Sequence, residues 1–108
     1  MTNRQLFLTH VGQPSDAPLA LEIVKASGCK LIDASGKEYI DLIGGISVCN
    51  VGHTHPAVTE AIKKQLDDYL HIMVYGELVQ SPQVQYAKLL TDNLPSSLNS
   101  VFYTASGS

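Results

Sequence analysis

A glycine-rich segment at residues 44–56 divides this chain into two parts of different pattern, and it constrains the fold more than any other feature. Three glycines fall within its first nine residues, a density that indicates an irregular backbone rather than a helix or a strand. Short strand-like runs precede the segment, and two helical patterns follow it. The order predicts a mixed α/β unit in which the segment joins a small antiparallel sheet to helices.

Three short apolar runs before this segment predict an antiparallel meander. The turn between the first two runs falls at Ser27 and Gly28, which suit a tight connection. The second turn, residues 33–36, reads Asp-Ala-Ser-Gly and predicts a type I turn closed by a glycine bulge. Asp33 is explained by the turn it opens, and Asp41 by hydrogen bonds to nearby backbone. The predicted strands are residues 21–26, 30–33 and 38–42.

Two amphipathic helices and one further strand are predicted after the segment. Pro56 suits the first turn of a helix over 56–70. Ser81 and Pro82 predict an N-cap followed by proline at the first helical position, and Pro95 ends that helix. The apolar stripes are Val58, Ile62, Leu66 and Tyr69 in the first helix, and Val84, Ala87, Leu90 and Leu94 in the second. Residues 101–104 predict a buried strand.

Segment boundaries follow from these patterns. Residues 1–18 form an arm with a short helix and several helix-breaking residues, a segment that a partner surface would order. Residues 19–55 hold the meander and the glycine-rich loop. Residues 56–108 hold the helices, the last strand and the residues after it.

Composition excludes several classes of protein. With 7 basic and 10 acidic residues, the chain has a net charge of −3, so a broad basic face for nucleic acid is not expected. No apolar run approaches the length of a membrane span, and no signal-peptide core follows Met1, which leads us to expect a cytoplasmic protein. Cys29 and Cys49 are expected to be reduced, half-buried thiols.

The last three residues, Ser106, Gly107 and Ser108, follow an apolar run and resemble the start of a phosphate-binding loop. Glycine lets backbone approach an anion, and the hydroxyls and N–H groups supply donors. Such a loop usually leads into a helix whose N-terminus completes the site. The sequence is therefore expected to be the front part of a longer protein.

Other residues suggest weaker sites. Cys49, His53 and His55 have a spacing that could serve one Zn²⁺ ion, with His71 as a distant fourth ligand. The favoured interpretation is that the two histidines of the glycine-rich segment satisfy backbone groups at the helix start. Tyr75 stands in an unpatterned loop, where ligand contacts concentrate.

In order, these pieces resemble the N-terminal part of the class III aminotransferases, pyridoxal-phosphate enzymes of fold type I. The similarity runs from about residue 20 to the end. Its two motifs are Gly28-x-x-Leu31-x-Asp33-x-x-Gly36-x-x-Tyr39-x-Asp41 and Gly44-Gly45-Ile46-x-Val48-x-Asn50-x-Gly52-His53-x-His55-Pro56. Ala105 departs from the asparagine that many members carry.

The resemblance implies roles for five residues. Gly107 and Ser108 would bind the phosphate of pyridoxal 5'-phosphate, with Ser106 beside them. Ile46 and Tyr75 would line the substrate pocket, the latter across the interface of a homodimer. The implied reaction moves an amino group from an ornithine-, acetylornithine- or 4-aminobutyrate-type donor to a 2-oxo acid. An apolar Ile46 resembles the 4-aminobutyrate pattern.

The resemblance implies no catalytic residue within this chain. The family's Schiff-base lysine, the aspartate on the pyridinium nitrogen and the ring-stacking aromatic all correspond to positions after residue 108. The chain alone is therefore expected not to catalyse transamination. Two alternatives stay open at this point: a stand-alone α+β interaction module without a cofactor, and a small metal-binding protein.

Overall fold

A computed structural model describes residues 1–73 and 76–106, in two compact units, Met1–Asp68 and Tyr69–Ser108. Among these described residues, the first unit carries six elements and the second carries one helix. The elements are α1 (Asn3–His10), β1 (Ile23–Ser27), β2 (Lys30–Asp33), β3 (Glu38–Ile40), α2 (Gly44–Ser47), α3 (Pro56–Asp68) and α4 (Ser81–Asp92). The predicted α/β class is confirmed.

The strands form the predicted meander, an antiparallel sheet of order β1-β2-β3. Ser27 pairs with Lys30, so the first turn is a two-residue loop of Gly28 and Cys29. Gly28 has φ +56, a conformation that glycine adopts without the steric cost of a side chain. Strand β1 begins two residues later than predicted, and β3 ends two residues earlier.

Asp33 organises the second turn, as the sequence predicts. Its Oδ1 accepts the backbone N–H of Ser35 at 2.9 Å and that of Lys37 at 3.0 Å, and Oδ2 accepts the Tyr39 hydroxyl at 2.9 Å. Gly36 completes the turn with φ +85. The Ser35 hydroxyl, followed by the other donors, lowers the pKa of the Asp33 carboxyl from 3.8 to about 2.

This depressed pKa predicts an acid-sensitive meander. Because the folded carboxyl has the lower pKa, its stabilising effect is complete above pH 3.8 and is lost as the pH falls toward about 2. In the full-length protein, we expect Asp33→Asn to reduce the dependence of the melting temperature on pH between these values. Asp16→Asn, at an exposed aspartate outside the meander, is the control. Equal acid sensitivity in wild type and Asp33→Asn would contradict the prediction.

Helix α1 begins at a complete capping box. The Thr2 hydroxyl accepts the Gln5 N–H at 3.2 Å, and the Gln5 side chain accepts the Thr2 N–H at 2.8 Å. Asn3 Nδ2 donates to Glu22 Oε1 at 2.8 Å, which fixes the helix to the segment before β1. The short helix expected in the N-terminal arm is therefore present.

The two longer helices match the predictions except at their ends. Helix α3 ends at Asp68, two residues before the predicted end. Helix α4 has Gln80 rather than Ser81 at its N-cap, because Gln80 keeps an extended backbone while Ser81 is already helical. No side chain caps this end, so the predicted serine cap is wrong. The helix stops at Asp92, three residues before Pro95.

The predicted strand at 101–104 is also wrong, since the structure has irregular backbone there. A strand needs a hydrogen-bonded neighbour, and in the described part of the second unit no strand accompanies this run. The Tyr103 hydroxyl instead donates to the Gln83 carbonyl at 2.8 Å, and its ring lies 6.2 Å from that of Tyr86. Phe102 is 91% exposed.

Many large apolar side chains among the described residues are exposed. Val58, Ile62 and Leu66, the predicted core stripe of α3, are each about half exposed, and no described side chain is fully buried. An amphipathic helix ordinarily covers its apolar stripe against a neighbouring element. These faces therefore have the chemistry of surfaces that further protein covers.

Candidate functional site

Within the glycine-rich segment, α2 (Gly44–Ser47) is a single turn of left-handed backbone rather than an ordinary right-handed helix. The angle φ is 56° at Gly44, 65° at Gly45, 61° at Ile46 and 61° at Ser47. Glycine adopts these values freely, whereas a β-branched isoleucine with ψ 58° is strained. Strain of this kind persists only where the surrounding contacts impose it, and it concentrates at functional sites.

Asp41 fixes the start of this turn. Its Oδ1 accepts the backbone N–H groups of Ile43 and Gly44, each at 3.0 Å. The predicted hydrogen bonds from Asp41 to nearby backbone are therefore confirmed. At the far end of the turn, the N–H groups of Val48 and Cys49 both donate to the Gly44 carbonyl at 2.9 Å.

The other carboxylate oxygen of Asp41 contacts a histidine twelve residues later. The distance from Asp41 Oδ2 to His53 Nε2 is 2.6 Å, and the side chains are 8% and 18% exposed. The hydrogen bond from His53, followed by those from Gly44 and Ile43, lowers the pKa of the Asp41 carboxyl. The pair joins the two ends of the glycine-rich loop.

The loop is docked against the turn between β1 and β2. Gly28 and His53 exchange two backbone hydrogen bonds, of 3.0 and 2.8 Å, in an isolated bridge. The Asp41 N–H donates to the Cys29 carbonyl at 2.8 Å. Gly52 has φ +85, and a Cβ there would lie 3.2 Å from the Gly28 carbonyl oxygen. Only glycine permits this approach without displacement.

Of the five predicted site residues, two lie within the described residues. The Ile46 side chain is 84% exposed on the left-handed turn. Ser106 is exposed, and its carbonyl accepts the Thr104 hydroxyl at 2.8 Å. Tyr75, Gly107 and Ser108 lie outside the described residues. These assignments therefore stay predictions.

The alternative of a metal site gains no support. Within residues 1–73 and 76–106, no group of three histidine, cysteine or acidic side chains could hold an ion. The Nε2 atom of His53 is bonded to Asp41, which corrects the expectation that its ring satisfies backbone groups at the helix start. Cys29 and Cys49 are free thiols, and Cys29 is exposed rather than half-buried.

A cavity of about 570 Å³ lies elsewhere, between α1 and the segment before β1. Its lining is mainly apolar and includes Phe7, Leu21 and Leu31, with Arg4 and Glu22 as charged members. It contains none of the predicted site residues. The glycine-rich loop is the better candidate because it combines strain, a partly buried aspartate–histidine hydrogen bond and an exposed apolar side chain.

The Asp41–His53 pair is the main feature that sequence reasoning missed. Local spacing relates the two residues to different groups, Asp41 to nearby backbone and His53 to the start of the following helix. Their pairing depends on how the loop folds back, which no local spacing encodes. The available signal in the sequence was an aspartate directly after the third strand of the meander, Asp41, and a histidine directly after Gly52, His53.

Residues 11–108 match the family model of the class-III aminotransferases. The acetylornithine aminotransferase of Bacillus cereus is 46% identical over 87 residues, covering 81% of this chain and 22% of that relative. The acetylornithine aminotransferase of Methanopyrus kandleri is 41% identical over 100 residues, which cover 91% of this chain and 24% of that relative.

Solved structures agree with these sequence matches. The adenosylmethionine-8-amino-7-oxononanoate aminotransferase of Methanocaldococcus jannaschii superposes with a TM-score of 0.84 at 29% identity. The superposition covers 94% of this chain and 24% of the Methanocaldococcus jannaschii chain. The chain thus spans about a quarter or less of the length of each of these three relatives. The described helices are also too short or too polar to cross a membrane.

Proposed function

This chain belongs to the class III aminotransferase family, as its motifs predict, and from that premise we propose that it is the N-terminal part of an aminotransferase. The enzyme would transfer an amino group from an ω-amino or basic amino acid to a 2-oxo acid. The observation that carries the proposal is the family match over residues 11–108. Relatives named acetylornithine aminotransferase support the donor class.

Enzymes of this family depend on pyridoxal phosphate. When bound, the cofactor would supply the electron sink for proton removal at the donor carbon that bears the transferred amino group, and it would carry that amino group. In the proposal, Gly107 and Ser108 donate hydrogen bonds to its phosphate, with Ser106 beside them. The residue types fit, because a glycine backbone N–H and a hydroxyl are donors suited to a dianion.

Ile46 and Tyr75 are proposed to face the amino donor. Support for Ile46 comes from its exposed side chain, carried on a turn that hydrogen bonds hold at both ends. An apolar side chain suits the methylene chain of an ω-amino or basic amino acid. It provides no charged group for an α-carboxylate, which other parts of the protein would have to bind.

The fold type I architecture, the homodimer and the cytoplasmic location belong to the same proposal. The exposed stripe of α3, formed by Val58, Ile62 and Leu66, supports an assembly in which further protein covers these side chains. A stand-alone interaction module is disfavoured for the same reason, because a domain that folds alone would cover its amphipathic helices.

The proposal is tested by comparing the full-length protein with the isolated 108-residue chain. We expect the full-length protein to bind pyridoxal phosphate, seen as visible absorbance that borohydride abolishes while it attaches the cofactor covalently to the protein. It should also convert 2-oxoglutarate to glutamate with 4-aminobutyrate or acetylornithine as donor. The isolated chain should do neither, since the resemblance places the Schiff-base lysine after residue 108. Absence of cofactor-dependent transfer in the full-length protein would refute the proposal.

A further inference from the structure

The geometry of the glycine-rich loop assigns a positioning role to Asp41 and His53. We propose that their side-chain pair sets the donor preference of the enzyme by holding the left-handed turn that carries Ile46. This inference rests on the proposed function, in which Ile46 faces the amino donor. Neither Asp41 nor His53 is assigned a chemical step.

Both members of the pair are fixed to the same turn of the sheet. The Asp41 N–H donates to the Cys29 carbonyl, and His53 exchanges two backbone hydrogen bonds with Gly28. Their side chains then meet at 2.6 Å, with 8% of Asp41 and 18% of His53 exposed. The loop is therefore closed twice, once through backbone and once through side chains.

The pair acts on the turn through Oδ1 of Asp41, the carboxylate oxygen that does not contact His53. Asp41 Oδ1 holds the N–H groups of Ile43 and Gly44, the two residues that lead into the left-handed backbone. The hydrogen bond from His53 to Oδ2 fixes the plane of the carboxylate, so that Oδ1 points at the N–H groups of Ile43 and Gly44. Without His53, a largely buried carboxylate loses one partner and rotates toward water, which weakens both backbone bonds.

Weakening the hydrogen bonds from Asp41 to the turn would change the position of Ile46, because the backbone of Ile46 is strained. Left-handed backbone is unfavourable for a β-branched L-residue, so the turn relaxes when its restraints weaken. The exposed Ile46 side chain would then leave its position in the substrate wall. Binding of the donor is expected to suffer more than the chemical steps, which depend on residues outside this loop.

The experiment uses full-length holoenzyme and two donors, 4-aminobutyrate and acetylornithine. For His53→Leu, we expect the KM of the preferred donor to rise about tenfold while kcat stays nearly unchanged, in line with the cost of a misplaced binding group. His53→Gln should restore KM, because its side-chain amide can donate to Asp41 as the ring does. A purely structural role would lower melting temperature without this division between KM and kcat.

A double-mutant cycle tests whether the effect passes through Ile46. Ile46→Ala should change the ratio of kcat/KM for the two donors in the wild-type background and have little further effect in His53→Leu. Glu38→Gln is the matched control, since it breaks an exposed ion pair to Lys30 on the same sheet, away from the loop. Its KM values should match those of wild type.

The outcomes distinguish the proposed aminotransferase function from the positioning role of Asp41 and His53. Absence of cofactor-dependent transfer by the wild type overturns the proposed function and this inference with it. A normal wild type in which Ile46→Ala shifts donor preference, while His53→Leu keeps the wild-type KM, overturns this inference alone. Should His53→Leu fail to fold, His53→Asn replaces it, since its shorter polar side chain does not reach the carboxylate. An unchanged KM in that variant likewise overturns the inference.

Discussion

Replacing Gly52 with alanine in the full-length protein is expected to destabilise it by about 3 kcal/mol and to reduce transamination strongly. Two costs add at this position. The φ of +85° disfavours any L-residue, and the new Cβ would lie 3.2 Å from the Gly28 carbonyl oxygen and 3.3 Å from its Cα. Gly28 cannot move aside cheaply, because it shares two backbone hydrogen bonds with His53.

Gly36→Ala provides a matched control for this substitution. Gly36 also has φ +85°, but a Cβ there would meet no atom within 4 Å. It should therefore show only the backbone strain, about 1–2 kcal/mol. Melting temperature reports the total effect, and hydrogen exchange at the amides of Gly28 and His53 reports the bridge. Equal effects of both substitutions would show that the contact with Gly28 does not matter.

Local patterns predicted the elements whose causes are local. The turn at Asp33 follows from one carboxylate and donors within six residues, so the sequence Asp-Ala-Ser-Gly was sufficient. Helix α3 begins at Pro56 as expected, because proline fits the first turn and the apolar spacing is regular. Helix ends were less predictable, since no side chain caps α4 and its start depends on the backbone of Gln80.

Features that depend on distant contacts were missed. The left-handed turn at Ile46 contradicts the preference of a β-branched residue, and it exists because Asp41 and the docking of Gly52 impose it. The strand expected at 101–104 was inferred from apolar composition, but composition supplies no hydrogen-bonding neighbour. Of the candidate site, the sequence thus predicted residue types and a family, whereas the Asp41–His53 pair required the fold.

Removing one hydroxyl from the proposed phosphate loop should have the largest effect on the cofactor. In the full-length protein, Ser108→Ala is expected to weaken binding of pyridoxal phosphate by 1.5–3 kcal/mol, or roughly tenfold to more than a hundredfold, the usual value of a hydrogen bond to a charged group. The reason is that the hydroxyl is proposed to donate to a dianionic phosphate. Titration of the apoenzyme, followed by absorbance, measures this loss.

Pyridoxal without the phosphate makes the test specific. If Ser108 contacts the phosphate, Ser108→Ala should leave the affinity for pyridoxal unchanged while lowering that for pyridoxal phosphate. An equal loss for both compounds would place the hydroxyl elsewhere or indicate a general defect. Ser100→Ala, a nearby exposed hydroxyl before the apolar run, should affect neither affinity. A Ser108→Ala enzyme with wild-type affinity for pyridoxal phosphate would remove Ser108 from the site, and the loop would then rely on backbone donors such as Gly107.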